Sequence, residues 1–552
     1  MDRIWLKSYP PGVPAEIDAG AYASLGDLFD VSVARYAQRT AYVCMGGRLS
    51  YAELDVLSRQ LAAYFQSVLK LPRGARIALL MPNVLQYPVA LFAVLRAGYT
   101  VVNCNPLYTA RELEYQLKDA GAEAVVVLEN FAHVLQQALP GAQVRHVIVT
   151  GLGDMLGFLK GALVNAVVRH VKKMVQPWRI EGAIRWKRVL VKGSTYQFLP
   201  VAVMQQDLAF LQYTGGTTGV AKGAELTHGN ILANLQQAHA WIAPNLVEGA
   251  EIVITALPLS HIFALTANCL TFLKIGATNV LIPNPRDISG FVRELAKHRF
   301  SVITGVNTLF NALLNNADFR RLDFSALKVS LGGGMAVHQA VAERWRRTSG
   351  CPLVEAYGLT EASPAVTMNP LSLDEFNGSI GLPLPSTEVV MRDKEGHNLP
   401  TGAAGELCVR GPQVMRGYWQ RPEETAAVMT ADGFLRTGDI AVMDENGFVR
   451  IVDRQKDMIL VSGFNVYPNE VEAIVGAHPG VLEAALVGVS DKHTGEALKL
   501  FVVRRDATLT VGDLIAHCRL NLASYKVPHR IEFRDALPKT NVGKILRRAL
   551  RE

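Results

Sequence analysis

With 552 residues, 49% of them apolar and 19% charged, the chain is too long for one hydrophobic core and has the balance of a folded protein rather than a disordered one. Its net charge of +7 suits anionic ligands or an anionic membrane surface, and the lack of a basic stripe interleaved with aromatics argues against nucleic acid. Six scattered cysteines show neither C-x-x-C nor metal-site spacing, the first residues carry no signal-peptide core, and no apolar run reaches the ~18 residues of a membrane span; a cytoplasmic protein is expected.

Taken in order, apolar spacing predicts helices over 54–69, 86–96 and 110–120 and strands over 76–81, 99–104, 122–128 and 146–150. Continuous Val/Ile/Leu strands separated by helices indicate a parallel sheet covered on both faces. Residues 152–192 break the alternation. Leu156, Leu159, Leu163, Val167, Val171 and Met174 recur at helical spacing, interleaved with Lys160, Arg169, Lys172 and Lys173, and Glu181 is the one acid among residues 160–192. A basic amphipathic segment of this kind lies on an anionic membrane or packs on its domain with the charges solvated, and both readings stay open.

The apolar run 208–211 leads into YTGGTTGVAKG (213–223), followed by a helix over 230–241. Strands are expected over 251–257, 279–282, 301–305, 328–331 and 352–356. The loops 213–223, 258–263, 332–334 and 357–361 all follow predicted strands and are polar or glycine-rich, which is where parallel sheets bind ligands. From Gly405 the pattern changes to short antiparallel strands, and DGFLRTGDIAVMDENGFVRIVD (432–453) reads as hairpins with Asp-Gly and Asn-Gly turns. Beyond Lys456, strands over 458–461, 484–489 and 499–503 and helices over 469–477 and 511–522 make a tail long enough for a small domain. It ends in PKTNVGK (538–544) and a basic last helix.

The 213–223 stretch has the makings of a phosphate site: glycines that let backbone N–H groups approach oxygens, threonine hydroxyls, and the charge of Lys222. It is not a Walker loop, because Lys222 follows Ala221 and precedes Gly223 instead of closing G-x-x-x-x-G-K-[ST].

YTGGTTGVAKG, YGLTE (357–361), the TGD at 437–439 and PKTNVGK, in this order, resemble the adenylate-forming superfamily of acyl-CoA synthetases, adenylation domains and luciferases, and above all its bacterial long-chain fatty-acid–CoA ligases. The resemblance spans nearly the whole chain. It implies an α/β fold in which a large N-terminal adenylation domain (1–455), with parallel-rich sheets and a distorted β-barrel subdomain, precedes a small mobile α+β C-terminal domain (456–552). It also implies ATP, Mg2+ and coenzyme A as cofactor and co-substrates, with a fatty acid converted to acyl-AMP and then to acyl-CoA.

By the same resemblance Tyr213, Thr214, Gly215, Gly216, Thr217, Thr218, Gly219 and Lys222 handle the phosphates, and Glu361 with Thr217 holds the metal. Gly332, Gly333, Gly334, Tyr357 and Gly358 form the adenine slot, and Thr360 contacts phosphate. Asp439 and Arg454 hold the ribose, Lys544 bridges carboxylate and α-phosphate, and His261 lies beside the acyl carboxylate. Lys456 matches a hinge, and Val461, Ser462 and Gly463 line the pantetheine passage. The apolar run 262–275, with Ala264, Ala267 and Gly276 close by, leaves room for an alkyl tunnel. Rival readings are a ligase for medium-chain or aromatic acids, an acyl-AMP ligase loading a carrier protein, a luciferase-like oxygenase, and a non-catalytic fatty-acid-binding protein. Peripheral membrane contact through 156–192 and a homodimer are left as open alternatives.

Overall fold

The computed structural model describes residues 3–214, 221–454, 457–461, 464–491, 495–540 and 543–551. Two large sheets organise the first 454 residues. One runs, edge to edge, through Leu382–Pro383, Ala365–Met368, Leu353–Gly358, Val329–Gly332, Val302–Gly305, Ile252–Thr255, Thr278–Leu281, Thr40–Cys44 and Gly47–Ser50. Its central strands pair in parallel, and antiparallel strands close both edges.

The other sheet runs through Gly417–Tyr418, Lys222–Thr227, Leu208–Thr214, Thr100–Asn103, Arg76–Leu80, Ala124–Leu128, His146–Thr150 and Ile184–Arg185. It is parallel from Leu208–Thr214 onward. Its strands Arg76–Leu80 and Ala124–Leu128 are almost wholly buried, as continuous apolar runs require. Helices such as Gln86–Arg96, in which every residue is buried, fill the layer against them.

The region expected to be a distorted barrel is a four-stranded antiparallel sheet, in the order Glu388–Arg392, Gly405–Arg410, Leu435–Met443, Val449–Arg454. The tail has its own core. Val481–Asp491 and Gly495–Arg504 form a long hairpin, with Ile459–Val461 and Arg530–Phe533 also pairing Gly495–Arg504. Helices Pro468–Gly476 and Val511–Asn521 contribute Val471, Val475, Leu514 and Cys518 to a cluster with Ile459, Leu486, Leu500 and Val502. Thr510 and Asp513 close a capping box at the start of the second helix, each satisfying a backbone donor of the other. All six cysteines are free and buried.

Residues 152–192 are not one continuous amphipathic helix. Phe158–Ala166 is α-helical, Val167–Val171 follows as a wider π-turn, and Trp186–Gly193 is a separate helix. The segment meets the body through Leu156, Gly161 and Val168, which are buried, and through Arg169 and Arg185, which both pair with Glu129. Phe158, Leu159, Leu163, Val171 and Met174 are 58–83% exposed. Among the described residues no helix is long and apolar enough to cross a membrane.

Candidate active site

The carboxyl ends of the two large sheets meet at one cavity of about 740 Å3. The second sheet contributes Thr214 and Lys222, which face each other across the strands Leu208–Thr214 and Lys222–Thr227. The first sheet contributes Leu257, Val306, Gly333 and Gly334, each lying just beyond a strand end, and the run from Ala356 to Glu361. Asp439 and Arg436 come from the four-stranded sheet, and Lys544 from the tail.

Local sequence sets each wall. Gly334 has φ +75°, a left-handed conformation that suits glycine, as the chain turns away from Val329–Gly332. At Gly358 a Cβ would lie 2.1 Å from the Pro364 carbonyl oxygen, so no larger residue fits. His261 sits on a loop shaped by Asn83, which donates to the carbonyls of Thr255 (3.0 Å) and Leu257 (2.8 Å) and accepts from Leu259 N (2.8 Å). Gln212 Nε2 donates to Ser260 O at 2.8 Å and locks the same loop to the other sheet. Burial, reinforced by the Lys544 ammonium, pushes the His261 imidazole down to about 4. It is therefore neutral at pH 7 and available as a hydrogen-bonding group rather than a cation.

The polar lining of the cavity is ordered by its own side chains. Tyr357 Oη donates to Asp439 Oδ2 at 2.6 Å, and Asp439 is 6% exposed. Glu406 accepts from Arg436 (2.7 Å) and from Gly438 N (3.2 Å), which fixes the turn that presents Asp439. Lys222 pairs with Glu424 and lies 5.2 Å from the centre of the Tyr418 ring. Tyr418 Oη donates to Glu361 Oε1 at 2.7 Å. In the tail, Thr540 N donates to Lys544 O (2.7 Å) and Lys544 N to Thr540 Oγ1 (3.2 Å), closing the loop that carries the lysine. Thr308 Oγ1 donates to Gly543 O at 3.1 Å and joins that loop to the body.

Much of the remaining lining is apolar. Leu257, Ile262, Phe263, Ala267, Leu331 and Met368 form it, with Asn234 and Ala238 from helix His228–Ile242. Thr227 caps that helix through a reciprocal box with Asn230, which sets its direction toward the cavity. Of the small residues expected to open a tunnel, only Ala267 lines the cavity. Ala264 is fully buried elsewhere, and Gly276, with φ +72°, turns the chain beside Tyr36.

Thr214, Lys222, His261, Gly333, Gly334, Tyr357, Gly358, Thr360, Glu361, Asp439 and Lys544, all predicted from the sequence, are therefore brought together. Two predicted residues are not. Gly332 ends its strand without lining the cavity, and Tyr213 turns away into the core, its hydroxyl donating to Asp119 Oδ2 at 2.6 Å. Burial first, and Asp119 second, hold that phenol protonated. Arg454 pairs in register with Asp439 through the backbone of Val449–Arg454. Gly215, Gly216, Thr217, Thr218, Gly219, Lys456 and Gly463 lie outside the described residues, as does the side chain of Arg454. Sequence reasoning missed Tyr418, Arg436, Glu406 and Asn234. Around Tyr418 the run Gly-Tyr-Trp-Gln-Arg-Pro-Glu-Glu signals a strand-like pair ahead of a helix start with proline at its first position, but nothing in it marks Tyr418 as a site residue.

The profile of the family described as "AMP-binding enzyme" matches residues 29–419, and that of the "AMP-binding enzyme C-terminal domain" matches 470–544. The chain is 57% identical over 552 residues to a long-chain-fatty-acid–CoA ligase of Yersinia pestis, covering 100% of this chain and 98% of that one. It is 54% identical over 555 residues to the enzyme of the same name from Haemophilus influenzae, with the same coverage. Among solved structures, ATP-bound MatB from Rhodopseudomonas palustris superimposes with a TM-score of 0.81 at 27% identity, covering 95% of this chain and 98% of that one. A cavity at the carboxyl ends of two parallel-rich sheets, closed by a lysine from a small C-terminal unit, accompanies profile matches in both halves of the sequence: the chain belongs to the AMP-binding enzyme family.

Proposed function

We propose that this protein is an ATP-dependent long-chain fatty-acid–CoA ligase. The observation that carries the reading is one cavity whose lining divides between polar residues, Thr214, Lys222, Tyr357, Asp439 and Lys544 among them, and apolar ones, including Leu257, Ile262, Phe263 and Met368. A substrate with a charged head and an alkyl tail fits that division. The full-length 57% identity to long-chain enzymes supports the same substrate class.

In this reading a carboxylate oxygen attacks the α-phosphorus of ATP, the bond to the pyrophosphate oxygen breaks, and acyl-AMP forms. Two anions meet in that step, so fixed positive charge and preorganised donors where charge accumulates supply the rate. Lys544 bridges the attacking carboxylate and the α-phosphate, and neutral His261 orients the carboxylate. Asp439 and Arg454 hold the ribose, with Tyr357 both backing the adenine and fixing Asp439. Gly333, Gly334 and Gly358 leave the base room, and Gly332 sets their turn. Thr214, Gly215, Gly216, Thr217, Thr218, Gly219 and Lys222 hold the β- and γ-phosphates, with Tyr213 anchoring one stem.

Glu361 fits a magnesium ligand, since it lines the cavity beside Thr360 and, among the described residues, its Oε2 accepts no hydrogen bond. Among the described residues no group of three or more His, Cys, Asp or Glu could hold a metal by itself, which agrees with an ion held jointly with phosphates through one or two protein oxygens. When bound, Mg2+ neutralises phosphate charge; Glu361 and Thr217 would hold it.

In the second step the CoA sulfur attacks the acyl carbonyl, AMP leaves, and the thiol proton is lost. Lys544 occupies the approach needed in the first step. The unit 456–552 therefore turns about Lys456 to present the Val461–Gly463 side instead. The test is CoA-thioester formation across saturated acids of graded chain length, with and without ATP and Mg2+. Turnover rising toward long chains and requiring both is expected; turnover confined to short or aromatic acids overturns the long-chain assignment.

The same reading takes the protein to the membrane that holds its substrate. Phe158, Leu159, Leu163, Val171 and Met174 stand in solvent beside exposed Lys172 and Lys173, the composition of an interfacial anchor on anionic lipid. Phe158→Ser with Leu159→Ser, and separately Lys172→Glu with Lys173→Glu, are each expected to lower co-sedimentation with anionic vesicles about tenfold. Wild-type binding by both variants rejects this surface.

A further inference from the structure

We propose that Tyr418 is a positioning residue for the metal carboxylate, holding Glu361 in the orientation in which it meets a cation on the ATP phosphates. The inference rests on the reading above in taking Glu361 as that carboxylate.

Three observations carry it. The Tyr418 hydroxyl donates to Glu361 Oε1 at 2.7 Å, while among the described residues Oε2 accepts nothing from the protein. A glutamate has three rotatable bonds, so a fixed donor on one oxygen selects one orientation for the other.

The backbone that carries the ring is fixed from both sides. Gly417–Tyr418 forms a two-residue strand on Lys222–Thr227, with Tyr418 opposite Ala224, and Trp419 N donates to Gly223 O at 2.8 Å. Tyr418 N donates to Thr425 Oγ1 at 2.9 Å, and Met415 N donates to the Glu361 carbonyl at 2.7 Å. The segment that carries the phenol is thus bonded to the backbone of the residue it orients.

The third observation is that this segment also holds both stems of the glycine-rich loop. Arg421 donates to Asp119 Oδ1 at 2.8 Å, and Asp119 Oδ2 accepts from Tyr213 on the entering stem. Lys222 on the leaving stem pairs with Glu424. Tyr418 precedes both ties on the same short segment and has the Lys222 ammonium 5.2 Å from its ring centre. The hydroxyl therefore sets the carboxylate relative to the two points from which the phosphate loop departs. Partners that orient a metal-ligating group typically govern metal affinity by ten- to a hundred-fold.

The test compares Tyr418→Phe, which removes one oxygen and keeps the ring, with Glu361→Gln. Manganese binding is read by electron paramagnetic resonance in the presence of an ATP analogue that cannot be cleaved at the α,β position, and the Mg2+ dependence of adenylation is measured alongside. Tyr418→Phe is expected to weaken Mn2+ binding at least tenfold and to raise the KM for Mg2+ by a similar factor, with kcat at saturating Mg2+ within about threefold of wild type and the thermal midpoint unchanged. A purely structural role would instead lower kcat and the midpoint and leave the Mg2+ dependence alone, and that result overturns the proposal. Wild-type metal affinity in Tyr418→Phe, with affinity lost in Glu361→Gln, rejects Tyr418 while sparing Glu361. Wild-type affinity in Glu361→Gln rejects the Glu361 reading itself.

Discussion

Lys544→Ala is expected to lower acyl-AMP formation about a hundred- to a thousand-fold, the usual effect of removing one preorganised group that stabilises transition-state charge. The lysine is on the cavity wall, and its ammonium acts on His261 strongly enough to help keep that imidazole neutral. In the proposed first step it meets negative charge on both the carboxylate and the α-phosphate. In the second step the attacking sulfur needs the space rather than the charge, so transfer from supplied acyl-AMP to CoA is expected to stay within a few-fold of wild type. ATP–pyrophosphate exchange measures the first half, and thioester formation from synthetic acyl-AMP the second. Normal exchange in the variant would overturn the assignment.

Arg547→Ala is expected to destabilise the tail by about 3–5 kcal/mol, because it leaves a buried carboxylate without its counter-charge. Arg547 donates to both oxygens of Glu472 (3.0 and 2.6 Å), to Asn469 Oδ1 (2.6 Å) and to Asp457 Oδ2 (3.2 Å). Glu472 is 9% exposed, with Leu486 N also bound to its Oε1 at 2.7 Å. Hydrogen exchange of the strands Val481–Asp491 and Gly495–Arg504 reads the loss directly. Replacing the pair together, Arg547→Met with Glu472→Leu, is expected to recover most of it, since two apolar side chains carry no desolvation penalty. Failure of the double variant to recover would show that the partners it leaves behind, Asn469, Asp457 and the Leu486 N–H, account for the loss rather than the uncompensated Glu472 charge. Arg547 is three residues from Lys544, so the single variant also slows adenylation by loosening the loop.

Much of the fold was legible because its periodicities were strong. Helices Gln86–Arg96 and Ala110–Ala120 and strand His146–Thr150 fall where spacing put them, the second helix being closed by a Thr109–Glu112 box and a left-handed Gly121. Lys222–Thr227 escaped notice as a strand because lysine and glycine open it, and its β character comes from pairing with Leu208–Thr214 rather than from its own composition. Candidate site residues were legible where they cluster in short motifs. Tyr418 was not, because its partner Glu361 is 57 positions away, and Arg421 and Asp119 are separated by 302. For residues 158–174 helical spacing revealed an apolar face but not whether anything covers it, since coverage depends on chain packed from elsewhere.

The hydrogen bond from Thr308 to the Gly543 carbonyl is neutral on both sides. Such a bond contributes about 0.5–1.5 kcal/mol net, no more than a few multiples of thermal energy. A latch of that strength cannot by itself dictate where the tail rests. Asp453 also accepts from Asn469 N at 3.0 Å, but neither bond depends on the contents of the cavity; in the proposed reaction a triphosphate draws Lys544 inward, and that pull ends once pyrophosphate has gone. The order of the two half-reactions would be enforced by the chemistry of the contents rather than by the stiffness of the container.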